Sequence, residues 1–174
     1  MTDASIFDAG LTARAARVLE RCRARKLKIV AAESCTGGLV SALLTEIAGS
    51  SDVFERGFIV YSNIAKVQNL GVSEAVIDAC GAVSPEVARA MADGALTHSG
   101  ADISIAITGV AGPGGGSPQK PVGLVQFACG RRMGVIRNVE KRFGDIGRGA
   151  VRMASVAAAL EMIEAALDEL DAAT

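Results

Sequence analysis

The sequence predicts an α/β layered domain on a mixed sheet, and three observations carry that expectation. Short apolar runs alternate with segments whose apolar residues recur at helical spacing, as in layered α/β proteins. Half of the residues are hydrophobic but only 3% are aromatic, so Ala, Val, Ile and Leu must fill a closely packed interior. The last two strand-like runs lie close enough in sequence to pair as a hairpin, which makes the sheet mixed rather than purely parallel. At 174 residues the chain suits a single domain with a real core, spanning about residues 10–170.

The elements follow in order. Leu11, Ala15, Val18, Leu19 and Cys22 form the apolar stripe of a first helix ending near Lys26. Lys28 to Ala32 reads as a buried strand, Leu39 to Ile47 as a helix, and Gly49-Ser50-Ser51 as its stop. Phe58 to Tyr61 reads as a second strand, followed by a short helix through Lys66 and another opened by Ser73 and Glu74. Ser84-Pro85-Glu86 combines a hydroxyl cap with proline at the first helical position, so a helix should run from there to about Thr97. Asp102 to Ile107 is a third strand. Residues 109–121 hold five glycines and three of the four prolines, which makes them a loop. Val122 to Ala128 and Gly134 to Phe143 are two more strands, expected to turn around Gly130-Arg131-Arg132. A long Ala-rich helix from about Ile146 to Leu170 closes the chain.

Composition excludes several roles. The net charge is −1 and no long basic run exists, whereas a sequence-independent grip on nucleic acid needs clustered Lys and Arg. The densest basic stretch, Arg21 to Lys28, reads as the solvated end of a helix. Cys22, Cys35, Cys80 and Cys129 form no C-x-x-C pair and read as reduced thiols. With His98 the single histidine, no tight zinc site is expected, and His98 itself reads as a surface residue. No apolar run reaches the roughly 20 residues of a membrane span, and the N-terminus lacks a signal layout. The expectation is a cytoplasmic protein that binds neither membrane nor nucleic acid.

Three polar clusters stand out. Glu33-Ser34-Cys35-Thr36-Gly37-Gly38 follows the first strand and opens a helix. Such a helix start can hold a phosphate or an oxyanion, and equally Ser34 or Thr36 can simply cap it. Thr108-Gly109 and the glycine-rich loop follow the third strand, where ligands of open α/β sheets sit. That loop fits neither a P-loop nor a dinucleotide fingerprint, and serves either as an anion cradle or as a surface connector. In Tyr61-Ser62-Asn63-Ile64-Ala65-Lys66, a cap at Ser62 or Asn63 sets Lys66 one turn into a helix, able to reach back toward the strand end. A helix lysine is ordinarily a solvated charge; desolvated in a cleft it becomes a base for a serine.

Together these segments resemble the CinA family, specifically its C-terminal domain. The matching stretches are Ala32 to Gly38, Gly57 to Lys66, Val83 to Ala88, Ile107 to Gly115 and Pro121 to Gly123. The resemblance implies a three-layer α/β/α sandwich and a nicotinamide-nucleotide amidase, which turns nicotinamide mononucleotide and water into nicotinate mononucleotide and ammonia. The chain has no room for the extra N-terminal domain of full-length relatives and so resembles the stand-alone form. By resemblance Ser34 is the nucleophile, Lys66 its base, and Tyr61 and Thr108 assist. Thr36, Gly37, Gly38, Gly109, Gly112 and Gly114 would hold the oxyanion or the nucleotide phosphate, with Glu33 and Asn63 also at the substrate. No cofactor or metal is implied.

Near the last helix the family pattern Gly-Asp-Arg is interrupted here. Ile146 and Gly147 stand between Asp145 and Arg148, while the Arg-x-x-Val-Arg spacing to Arg152 survives. Arg148 is aligned with the substrate-facing arginine, whose planar donor fork suits phosphate. Cys35 is the rival nucleophile. The rival functions are a non-catalytic pyridine-nucleotide-binding module and a competence- or DNA-damage-associated partner protein. The Ala-rich last helix and the family's habit of association point to a homo-oligomer.

Overall fold

The computed structural model describes residues 5–172. Helix α1 (Ala9–Ala24) is capped by Asp8, whose carboxylate accepts from Leu11 N–H, and leads into strand β1 (Ile29–Glu33). Helix α2 (Leu39–Thr45), a short 3-10 turn (Ser50–Asp52) and strand β2 (Phe54–Ile59) follow. Next come helices α3 (Asn63–Leu70), α4 (Glu74–Cys80) and α5 (Pro85–Thr97). Strands β3 (Ile103–Gly109), β4 (Leu124–Arg131) and β5 (Ile136–Arg142) and helix α6 (Arg148–Ala172) complete the fold.

The strands form one sheet in the order β2-β1-β3-β4-β5. β1 lies parallel to both β2 and β3, and β4 runs antiparallel to β3 and β5. The sheet is mixed, as the sequence predicts, with helices on both faces. Strand alternation sorts the core. Ile29, Ala31, Ile103, Ile105, Ile107, Val125 and Phe127 pack with residues of α1, α2 and α6. Val30, Ala32, Ala106 and Ala128 pack on the other face, with Val87, Ala88, Met91, Ala92 and Ala95 of α5. On the central strands this second face is built from small side chains, so α5 can lie close on them, while Phe58 and Ile136 pack at its edges.

Several boundaries differ from expectation, each for a local reason. β2 starts and ends earlier than predicted, and Tyr61 falls beyond it at the entry to α3. β4 continues through Gly130 to Arg131, so the hairpin turn lies farther on, with Met133 in the left-handed region. Gly130 is a strand glycine paired with Ile136: a Cβ there would lie 2.7 Å from Ile136 Cγ1. The basic stretch after Arg21 is not merely solvated. Arg21 pairs with Asp168 and Asp171 of α6 at 2.7 Å each, and Arg14 grips Glu164 with two donors.

Neither Ser34 nor Thr36 caps α2. Glu33, fully buried at the end of β1, does so with both carboxylate oxygens. Oε2 accepts from Gly38 N–H (3.0 Å) and Val40 N–H (3.1 Å); Oε1 accepts from Ser41 N–H (2.8 Å) and Ser41 Oγ (2.7 Å). Negative charge sits where the unpaired N–H groups of a helix start need it. Gly57 of β2 leaves room for this arrangement, because a Cβ there would collide with Ser41 Oγ. The carboxylate is therefore a structural cap rather than a substrate contact. Glu33→Ala should lower stability by about 2–4 kcal/mol by stranding buried donors, and Glu33→Gln should lie between it and wild type, as read by urea denaturation.

Candidate active site

Because β1, β2 and β3 are parallel, their carboxyl ends meet at one edge of the sheet. Backbone hydrogen bonds continue past the strands there. Ser34 N–H donates to Ile107 O at 2.9 Å and Val60 N–H to Glu33 O at 2.8 Å. Ser34 thus sits between the end of β3, where Thr108 follows Ile107, and the end of β2. Ser34 and Thr108 continue the alternation of the α3/α5 face, opposite the face on which Glu33 caps α2.

Lys66 comes to the same point from α3. Ser62 caps that helix, its hydroxyl accepting from Ala65 N–H at 3.1 Å, so Lys66 lies one turn inside. Its side chain turns back under the strand ends. Nζ lies within hydrogen-bond distance of Ser34 Oγ (3.1 Å) and donates to Val60 O at 2.9 Å, with Tyr61 O at 3.5 Å. Lys66 is only 1% exposed, and no carboxylate among the described residues pairs with it. Burial holds its pKa below the ordinary 10.5, favouring the neutral amine.

A cleft of about 190 Å³ opens at this edge. Of the residues singled out in the sequence, Ser34, Lys66, Tyr61, Thr108, Asn63, Gly109 and Arg148 line it, and Cys35, Ala82, Val83 and Ala111 complete the wall. Thr108 Oγ1 donates to Ala82 O at 2.8 Å, so its lone pairs are the part left to face a ligand. Arg148 crosses the mouth, donating to Tyr61 OH and to Gly112 O at 3.0 Å each. The two residues inserted before Arg148 do not remove it from the cleft. Tyr61 is 62% exposed and holds the rim rather than the interior.

Other expected contacts are not brought in. Glu33, Thr36, Gly37, Gly38, Gly112 and Gly114 do not line the cleft. Gly38 N–H is engaged by Glu33, and Gly37 N–H donates to Ser34 O at 3.1 Å. The first N–H groups of α2 are therefore not free to receive a phosphate, which corrects the expectation for that helix start. Gly112 acts through its carbonyl, as a seat for Arg148. Cys35 is a buried thiol whose pKa burial pushes up to about 12, so it is protonated at neutral pH and a poor rival nucleophile. Arg152, marked in the sequence only by the Arg-x-x-Val-Arg spacing and given no role there, donates to Cys35 O at 3.2 Å and Thr36 O at 2.9 Å. Its one-turn spacing from Arg148 was the available signal. Among the described residues no group of three or more His, Cys, Asp and Glu could hold a metal ion, and no helix is long and apolar enough to cross a membrane.

Residues 11–167 match the family model of the CinA C-terminal domain. A CinA-like protein of Chlorobium phaeovibrioides is 57% identical over 115 residues, covering 66% of this chain and 27% of that protein. The nicotinamide-nucleotide amidohydrolase PncC of Enterobacter agglomerans is 46% identical over 134 residues, covering 76% of this chain and 80% of that protein. The crystal structure of the competence/damage inducible protein CihA from Agrobacterium tumefaciens superposes with a TM-score of 0.92 at 48% identity, covering 95% of this chain and 99% of that one. A CinA-superfamily protein of Klebsiella pneumoniae superposes with a TM-score of 0.84 at 36% identity, covering 92% and 97%. The chain spans 27% to 38% of the length of CinA-like relatives such as those of Chlorobium phaeovibrioides and Synechococcus. With the family model matching residues 11–167 and the fold superposing on these relatives, the chain belongs to the CinA C-terminal domain family.

Proposed function

We propose that this protein hydrolyses the carboxamide of nicotinamide mononucleotide, with Ser34 as nucleophile and Lys66 as its base. The observation that carries the reading is the buried amine of Lys66 set 3.1 Å from Ser34 Oγ without a neutralising carboxylate. Amide hydrolysis needs a nucleophile, a proton acceptor and stabilisation of an oxyanion. A serine hydroxyl is a weak nucleophile until its proton has somewhere to go, and a neutral lysine supplies that place. The name of the Enterobacter relative supports the choice of substrate.

In this mechanism Lys66 Nζ takes the Ser34 Oγ proton as Oγ bonds to the carboxamide carbon. The tetrahedral adduct collapses with cleavage of the C–N bond, and the Lys66 ammonium returns the proton to the departing nitrogen, which leaves as ammonia. A water then attacks the Ser34 ester, giving its proton to Lys66. Collapse releases the carboxylate product and reprotonates Ser34. Thr108, its own proton held by Ala82 O, offers lone pairs to a donor such as the carboxamide N–H. Arg148 at the mouth suits the substrate's phosphate.

Purified protein should release ammonia from nicotinamide mononucleotide in a coupled assay, and Ser34→Ala and Lys66→Ala should each lower kcat at least about a thousandfold while remaining folded. Binding by calorimetry with no ammonia from wild type would instead identify a non-catalytic pyridine-nucleotide-binding module.

The pH dependence has a definite sign. Neutral Lys66 is the active form, so kcat/KM should rise with pH through an inflection below 10.5. The unfolded chain binds this proton more tightly than the fold. The stability penalty of Lys66 is thus absent above 10.5, grows as pH falls toward the lowered folded-state value, and is complete below it. Lys66→Met should abolish turnover and flatten that slope in denaturation midpoints measured across the same pH range.

A further inference from the structure

We infer that Lys120 is a positioning residue that keeps Thr108 a pure hydrogen-bond acceptor in the cleft, and so sharpens a preference for carboxamides over esters; this rests on the amidase reading above. The connection between α4 and α5 forms one wall of the cleft through Ala82 and Val83. Neither residue makes a backbone–backbone hydrogen bond among the described residues. Side chains grip three successive carbonyls instead. Lys120 Nζ donates to Cys80 O, Ser84 Oγ to Gly81 O at 2.9 Å, and Thr108 Oγ1 to Ala82 O at 2.8 Å. Ser84 belongs to the connection itself, so Lys120 and Thr108 are the ties that come from outside it.

Lys120 is presented rigidly for this task. It closes a tight turn at the end of the glycine-rich loop, where Ser117 N–H donates to Lys120 O at 2.9 Å and Lys120 N–H to Ser117 Oγ at 3.0 Å. Gly81 keeps its path open, because a Cβ there would lie 2.6 Å from Nζ. An ammonium at the last carbonyls of α4 is also favoured by the helix dipole. The consequence reaches the cleft through Ala82. A carbonyl oxygen can only accept, so the Thr108–Ala82 bond uses the hydroxyl proton and leaves only lone pairs for a ligand. Thr108 follows Ile107, whose carbonyl takes Ser34 N–H, so it stands beside the nucleophile on the neighbouring strand. Lone pairs there receive an amide N–H and offer nothing to the alkoxy oxygen of an ester. With Ala82 O displaced, the hydroxyl is free to turn and donate, and the distinction is lost.

The test compares nicotinamide mononucleotide with the methyl ester of nicotinate mononucleotide on the full chain. The readout is kcat/KM, which reports the steps up to acylation of Ser34 for both substrates. Lys120→Met should lower kcat/KM for the carboxamide about tenfold, the weight of one loosened hydrogen bond, and that for the ester less than about threefold. Lys120→Arg, which keeps a cationic donor for Cys80 O, should recover most of the loss. Equal losses on both substrates would mark a merely structural residue and overturn the proposal, as would an unchanged carboxamide value. A second measurement does not depend on turnover. The buried Thr108 hydroxyl proton should exchange slowly enough in wild type to be seen by NMR, and faster in Lys120→Met. Its absence from the wild-type spectrum overturns the proposal even where Lys120→Met fails to fold, and so does equal exchange in a folded variant. Absence of ammonia release from wild type counts against the amidase reading itself, and the hydroxyl proton then decides the role of Lys120.

Discussion

Lys66 is the constraint around which the rest of the site is arranged. An ammonium buried to this degree without a counter-charge is costly to hold, and the fold relieves the cost by favouring the neutral amine. The amine is fixed by two short contacts, one to Val60 O and one to Ser34 Oγ, and the proposed reaction uses it as the base. A carboxylate placed nearby would have restored the charge and removed the basicity. Glu33, the one acid adjacent in sequence to Ser34, is turned to the opposite face of the sheet, where α2 occupies both of its oxygens. Capping the helix and sparing the lysine are thus served by the same strand alternation.

The sheet supplies the position and the last helix supplies the rigidity. Parallel pairing of β1 with β2 and β3 sets Ser34, Val60 and Thr108 side by side at one edge. No single element could do this, since Ser34 and Lys66 come from different crossovers. α6 then ties the three segments that leave that edge. Arg148 joins the loop after β3 to Tyr61 beyond β2, and Arg152 holds the turn after β1. The ion pairs of α1 with α6 anchor the helix from its far side, although exposed pairs of this kind contribute little individually.

Much of this was legible in the sequence. The alternation of elements, the strand ends that carry Ser34 and Thr108, and the Ser62 cap that sets Lys66 one turn into α3 follow from residue type and spacing. What could not be read were contacts made by backbone groups with distant side chains. The role of Glu33 depends on where the N–H groups of α2 point, which spacing does not reveal, and the family resemblance placed it at the substrate instead. Gly130 has the composition of a turn residue, yet it pairs with Ile136 inside β4, where a Cβ would meet that side chain. The Arg-x-x-Val-Arg spacing marks Arg152 but not its task, because its partners are carbonyls more than a hundred residues away in sequence.

The most direct measurement is the titration of the amine itself. With lysine carrying ¹³C at Cε, the Lys66 resonance is assigned by its absence from Lys66→Met and followed from pH 6 upward. Its midpoint should lie below 10.5, apart from the other lysines, whether or not Ser34 is replaced by alanine. A midpoint at or above that value would mean a charged ammonium donating to Ser34, and no base for the reaction.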